Sequence, residues 1–171
     1  DVMATEIEYE KTYLLKYIPE AVKSSASSII RDTYVPESAS HAHLRLRAKD
    51  NSYVITKKQP VEGGDSSIQY EHTIQLDKDE YEALTQCSNK DFVKTRFFVE
   101  LAGRPAELDI YGEKLSGLAV VDFEFNNADE MAEFSMPDFC LADVTQDGVI
   151  AGGYLAGKSY ADIAGHLKTY G

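Results

Sequence analysis

The sequence predicts an α+β fold, one antiparallel sheet or barrel flanked by short helices, and three observations predict it. Apolar and polar residues alternate with period two through most of the chain. Short turn-forming sequences such as Asp50-Asn51 and Gly103-Arg104 separate the alternating runs. The helical stretches are short, three or four against about seven strands. At 171 residues the chain suits a single domain over 1–171 with a sizeable core.

The first alternating run covers residues 5–17. It sets Glu6, Glu8, Glu10 and Thr12 on one side and Ile7, Tyr9, Lys11 and Tyr13 on the other. Pro19 ends it. Residues 20–30 offer a short helix with Ala21, Val22, Ala26, Ile29 and Ile30 as a rough apolar face. Tyr34-Val35-Pro36 reads as a short extended return. Residues 43–49 and 52–59 form two strands about the Asp50-Asn51 turn. A polar loop at 62–66 precedes a strand at 67–76. Asp77, with Glu80 three residues on, gives a capping-box pattern for a helix over 78–85. Residues 92–101 and 105–112 make a hairpin, 117–125 the last clear strand, and 127–133 a short acidic helix. The tail carries Pro137, the Gly152-Gly153 pair and a weak helix at 159–169.

A formal net charge of −12 argues against a surface that binds nucleic acid as a whole. A bound polyanion requires the few Lys and Arg to be gathered in one place. No apolar run approaches the ~20 residues of a membrane helix, so no membrane partner is expected. The opening DVMATEIEYEK has neither the basic nor the apolar region of a secretory signal. Cys87 and Cys140 lie outside any CxxC pair and read as reduced. Together these features point to a cytoplasmic protein.

The charges on the strands are the most informative feature. Same-sign pairs recur at i, i+2: Glu8 and Glu10, Arg45 and Arg47, Lys94 and Arg96, Glu107 and Asp109, Asp122 and Glu124. Thr56 and Lys58 share a face as well. The opposite faces are often apolar, as at Leu44 and Leu46, Leu108 and Ile110, or Phe123 and Phe125. Periodicity alone favours charged faces in bulk water around a sandwich core. Like charges so spaced repel strongly when enclosed unless an opposite charge lies between them. Paired carboxylates facing paired cations suggest a metal ion and phosphates between them. A closed barrel with its apolar face turned outward carries such an interior.

At these residues the chain resembles the CYTH superfamily, the triphosphate tunnel enzymes, which include class IV adenylyl cyclases, thiamine triphosphatases and inorganic triphosphatases. The family's ExExK signature is matched by Glu8-Tyr9-Glu10-Lys11-Thr12, with Thr12 in place of the signature Lys. LRLR at 44–47 resembles its basic strand, YVITKK at 53–58 its T-x-K strand, and VKTRFF at 93–98 its K-x-R strand. YEHTI at 70–74 is similar to its E-x-E strand, with Glu71 kept and Thr73 in place of the second acid. ELDIYGEKLSGLAVVDFEF at 107–125 is similar to its acidic return, and the tail to its closing segment, where Lys158 stands in for an Arg.

The resemblance implies a closed antiparallel tunnel of about eight strands with short flanking helices. It implies a triphosphate bound by Arg45, Arg47, Lys58, Glu71, Lys94, Arg96 and Asp109. Glu8, Glu10, Asp122 and Glu124 are implied as ligands of Mg²⁺ or Mn²⁺, and Glu8, Glu10, Lys58 and Arg96 as the catalytic set. The expected reaction is metal-dependent hydrolysis of inorganic tripolyphosphate or an organic triphosphate. The alternatives are cyclic AMP formation from ATP and non-catalytic binding of polyphosphate or a nucleotide, the latter motivated by Thr12 and Thr73. The molecule is expected as a monomer or homodimer.

Other residues carry less. His41 and His43 share a face in register with Arg45, but read as surface or barrel-mouth residues rather than metal ligands. The acidic run 77–82 lacks the Gly and terminal Glu of a calcium loop. Gly63-Gly64 and Gly152-Gly153 read as flexible turns, and the serines at 24, 25, 27 and 28 lie in the expected helix without a triad pattern.

Overall fold

The computed structural model describes residues 6–171. Nine strands form one antiparallel sheet: β1 (Glu6–Leu15), β2 (Ala26–Val35), β3 (Leu44–Lys49), β4 (Ser52–Pro60), β5 (Ile68–Leu76), β6 (Asp91–Leu101), β7 (Arg104–Tyr111), β8 (Ala119–Phe125) and β9 (Cys140–Asp143). The order β5-β4-β3-β2-β6-β7-β8-β1 closes on itself through pairing of β5 with β1. The result is an eight-stranded barrel. Strand β9 joins the far end of β1, where Tyr13 faces Asp143 and Leu14 faces Ala142. Thr5, the first residue of the expected first strand, lies outside the described residues.

Closure sets the two faces of every strand apart. The outer face of β1, β7 and β8 carries Tyr13, Leu108, Val121, Phe123 and Phe125, all at most 7% exposed. They pack with Val22, Met131 of α2 (Ala128–Glu133), Phe134 and Cys140. On β3 and β4 the outer face meets α1 (Lys78–Thr85), whose Tyr81 lies against Tyr53 at 4.9 Å between ring centroids. The capping box of α1 at Asp77 and Glu80 is present.

The expected helix over 20–30 is corrected to a 3₁₀ turn at Glu20–Ser24 followed by strand β2. The run Ile29-Ile30-Arg31-Asp32-Thr33-Tyr34-Val35 is β-branched and alternating. Ladders to β3 on one side and β6 on the other outweigh the weak helical pattern. Tyr34 and Val35 end this ten-residue strand rather than forming a separate return, and Ser27 and Ser28 sit in it. The short strand β9 has no counterpart in the expected elements. Its four residues are too few for a periodic signal.

One end of the barrel is filled by the tail. Inward-facing Leu14, Tyr34, Phe92, Tyr111 and Val120 pack with Val144, Ile150, Leu155 and Ile163. Gly152 and Gly153 begin a short helix, α3 (Gly152–Leu155), rather than a flexible turn. A Cβ on Gly152 would lie 2.1 Å from the Tyr34 hydroxyl, and one on Gly153 2.2 Å from the Ala42 carbonyl. Only glycine permits this approach. The last helix, α4 (Tyr160–Leu167), is capped by Ser159 and Asp162. No helix among the described residues is long and apolar enough to cross a membrane.

Candidate active site

The barrel encloses a cavity of about 500 Å³ lined by polar side chains. Strand alternation aims them there. On β3, Arg45 and Arg47 point in while Leu46 is buried on the outside. By the same parity Glu8, Glu10 and Thr12 of β1, Thr56 and Lys58 of β4, and Gln69 and Glu71 of β5 face the cavity. So do Lys94 and Arg96 of β6, Glu107 and Asp109 of β7, and Asp122 and Glu124 of β8. Every site residue expected from the sequence therefore lines one cavity.

The basic side of the cavity is tightly paired. Arg47 grips Asp32 of β2 with two hydrogen bonds, 2.7 and 2.8 Å, and Asp32 is fully buried. Burial works against the Asp32 charge, but the hydrogen bonds and charge of Arg47 prevail and hold its pKa below the ordinary value. Arg96 makes two hydrogen bonds to Asp109, 2.8 and 2.9 Å, and reaches Glu107 at 2.6 Å. Lys94 binds Asp109 at 2.8 Å. Burial pushes the Lys94 pKa down. Asp109 lies well below the carboxylate range because Lys94 and Arg96 outweigh its burial. Arg45 differs: among the described residues it forms no ion pair, and its Nε is buried without a hydrogen-bond partner.

The acidic side is short of cations. Lys58 lies 2.8 Å from both Glu8 Oε2 and Glu10 Oε1. Burial disfavours its charge, but the two carboxylates win and raise its pKa. The contact to Glu8 Oε2 is close without being a well-directed hydrogen bond, so that oxygen has no hydrogen-bond partner. Thr12, where a Lys is expected, donates to Asp122 Oδ1 at 2.5 Å. Burial, then Glu10 and Asp109, pushes Asp122 up to about 7. Burial, then Glu107, Glu8 and Glu10, pushes Glu124 up to about 7. Burial likewise raises Glu8.

This donor set fits a hard divalent cation: four side chains offer carboxylate oxygens, balanced only by Lys58 and a 3.9 Å contact from Arg96 to Asp122. Among the described residues no three His, Cys, Asp or Glu side chains form a ready-made ligand cluster.

Sequence reasoning did not place Asp32 in the site. The alternation Ile30, Asp32, Tyr34 was the available signal, masked by the helix expected just before it. Glu107 was noted as charged and given no role, yet it faces the cavity and binds Arg96. His41 and His43 lie before the start of β3, are exposed, and line the cavity at the barrel mouth.

Comparison with known proteins agrees with this geometry. An inorganic triphosphatase of Nitrosomonas europaea is 32% identical over 142 residues, covering 82% of this chain and 90% of that protein. A crystal structure of an inorganic triphosphatase superposes with a TM-score of 0.64 at 28% identity, over 87% of this chain and 93% of the other. A putative adenylate cyclase of Bacillus halodurans, 20% identical with a TM-score of 0.56 over 76% of this chain and 86% of the other, shares the fold. The CYTH domain matches residues 5–132, the stretch that supplies every charged side chain lining the cavity except Asp147. On that match the chain belongs to the CYTH domain family.

Proposed function

We propose that this chain is a metal-dependent triphosphatase whose first substrate is inorganic tripolyphosphate. The observation that carries the reading is a single enclosed cavity in which Arg45, Arg47, Lys58, Lys94 and Arg96 face carboxylates on the opposite strands. The relationship to an inorganic triphosphatase supports the substrate class. The charge balance supports the metal. Carboxylates outnumber the five cations, so a polyanion enters this cavity only together with added positive charge.

Phosphoryl transfer depends on positioning and charge neutralisation more than on covalent chemistry from the protein. Arg45, which has no ion-pair partner among the described residues, is the first phosphate ligand. Arg47 keeps Nη1 free while Asp32 fixes its Nε and Nη2, so its fork is held in place for a second phosphate oxygen. Arg96 and Lys94, clamped by Asp109, supply positive charge at depth without having to be ordered on binding. Glu8, Glu10, Asp122 and Glu124 are the carboxylates that would hold Mg²⁺ or Mn²⁺, which would screen the phosphate charge and make a bound water more acidic. Glu8 would orient the attacking water and take its proton. Attack at a terminal phosphorus breaks one P–O–P bond and yields phosphate and pyrophosphate.

Incubation with tripolyphosphate and Mg²⁺ or Mn²⁺ is expected to release phosphate, and a chelator to stop it. Absence of turnover with tripolyphosphate, thiamine triphosphate and nucleoside triphosphates defeats the reading. Cyclic AMP made from ATP replaces it with the cyclase reaction.

A further inference from the structure

Lys58 is rooted on one wall of the cavity and ends on the other. On β4 it follows Thr56 along the inward face, and Thr56 lies opposite Arg45 of β3 in the ladder. The Lys58 backbone is therefore a diagonal neighbour of the first phosphate ligand. Its side chain points away from Arg45. It spans β5, which separates β4 from β1, and brings the ammonium 2.8 Å from Glu8 Oε2 and 2.8 Å from Glu10 Oε1. Glu71, the ladder partner of Lys58 on β5, faces the same space. The other cations are placed differently. Arg47 is held by Asp32, and Lys94 and Arg96 by Asp109. Among the described residues only Lys58 pairs solely with carboxylates that the divalent ion would use.

We propose that Lys58 exchanges places with the divalent cation: its ammonium bridges Glu8 and Glu10 in the free protein and moves onto a phosphate oxygen beside Arg45 when metal and triphosphate bind together. The two cations exclude each other. Mg²⁺ sits about 2.0–2.1 Å from a carboxylate oxygen, so an ion bridging the same two oxygens falls within the space of the ammonium. Burial works against the Lys58 charge, but Glu10 and Glu8 outweigh it and keep the group protonated. A whole positive charge therefore has to be received elsewhere. The flexible four-carbon stem permits the move, whereas the doubly bonded guanidinium of Arg47 is fixed. Metal alone displaces the ammonium with no anion to accept it. Metal with triphosphate supplies that anion, so each ligand strengthens the binding of the other, and linkage makes the effect reciprocal.

The exchange rests on the triphosphate reading of the same cavity, and a titration with metal alone keeps the two apart. In calorimetry with Mn²⁺ alone, Lys58→Met is expected to bind about tenfold more tightly than wild type. Arg45→Met removes an equal charge from the cavity but no partner of Glu8 or Glu10, and should stay within about threefold of wild type. Lys58→Gln gives the same comparison if Lys58→Met does not fold. A second series uses the imido analogue of tripolyphosphate, which resists hydrolysis. Lys58→Met should weaken its binding about tenfold with Mn²⁺ present and less than about threefold without it. Chelation of Mn²⁺ by the phosphates is common to both proteins and cancels. Unchanged Mn²⁺ affinity in the Lys58 variants, or an equal gain in Arg45→Met, overturns the proposal. So does an equal loss of analogue binding with and without Mn²⁺, which makes Lys58 a fixed phosphate ligand. Failure of the analogue to bind wild type defeats the triphosphate reading, and the Mn²⁺ series alone then decides whether ammonium and ion compete for one position.

Discussion

The basic and acidic walls of the cavity solve the same problem in opposite ways. On β2, β3, β6 and β7 the cations other than Arg45 are paired in advance: Asp32 with Arg47, and Asp109 with Lys94 and Arg96. On β1 and β8 the carboxylates are gathered around one Lys, a threonine hydroxyl and a 3.9 Å contact from Arg96 to Asp122. Apart from Arg45, the first wall is neutralised within the folded protein. The second carries more carboxylates than its cations balance.

The sharpest way to break this comparison is to remove a clamp. Asp109→Asn leaves Lys94 and Arg96 buried with their shared partner neutralised, and is expected to destabilise the fold by about 3–5 kcal/mol. Thermal melting of the metal-free protein reads it. An unchanged melting temperature would mean the clamp is not structural. Arg45→Ala is expected to do the reverse. It should lower kcat/KM by about 10²–10³-fold while melting stays near wild type, since no described carboxylate loses a partner. Thr12→Val removes the hydroxyl that donates to Asp122. It is expected to cost about 1.5–3 kcal/mol in the metal-free protein. Added Mg²⁺ or Mn²⁺ should shrink that cost if the acidic wall is where the ion binds.

A further effect is one of pH, and its sign separates the walls. Asp122 and Glu124 have folded pKa values of about 7 against ordinary values of 3.8 and 4.5. The folded metal-free protein therefore holds more protons than the unfolded chain between those limits, and its stability falls as pH rises toward 8. Asp32 and Asp109 are held below their ordinary value, so their contribution is present above it and lost as pH falls into the acid range. Denaturant melts without metal are expected to show maximal stability on the acid side of neutrality. Mn²⁺ affinity measured by calorimetry should rise between pH 6 and 8, and Glu124→Gln should flatten that rise. A pH-independent affinity would place the ion elsewhere.

Much of the site was legible because a strand's side chains alternate with a fixed period. Once Arg45 and Arg47, Lys94 and Arg96, and Asp122 and Glu124 are on strands, each pair necessarily shares a face. Order along the chain and the near-match at Glu8 to Thr12 then specified which barrel. Strand β2 was harder to read. Its serines and alanine at 24–28 carry no strong periodicity, and its pairing is long-range to both β3 and β6. The clamp at Asp32 was hidden with it.

By itself the sequence determined which residues share a face and that charged faces recur strand after strand, because a pleated backbone allows no other arrangement. Only the closed barrel decided that those faces look inward, which cations are already spent on Asp32 and Asp109, and that Arg45 is left open. Those outcomes depend on distances between strands far apart in the chain, set by β5 returning to β1. Local periodicity holds no record of that closure.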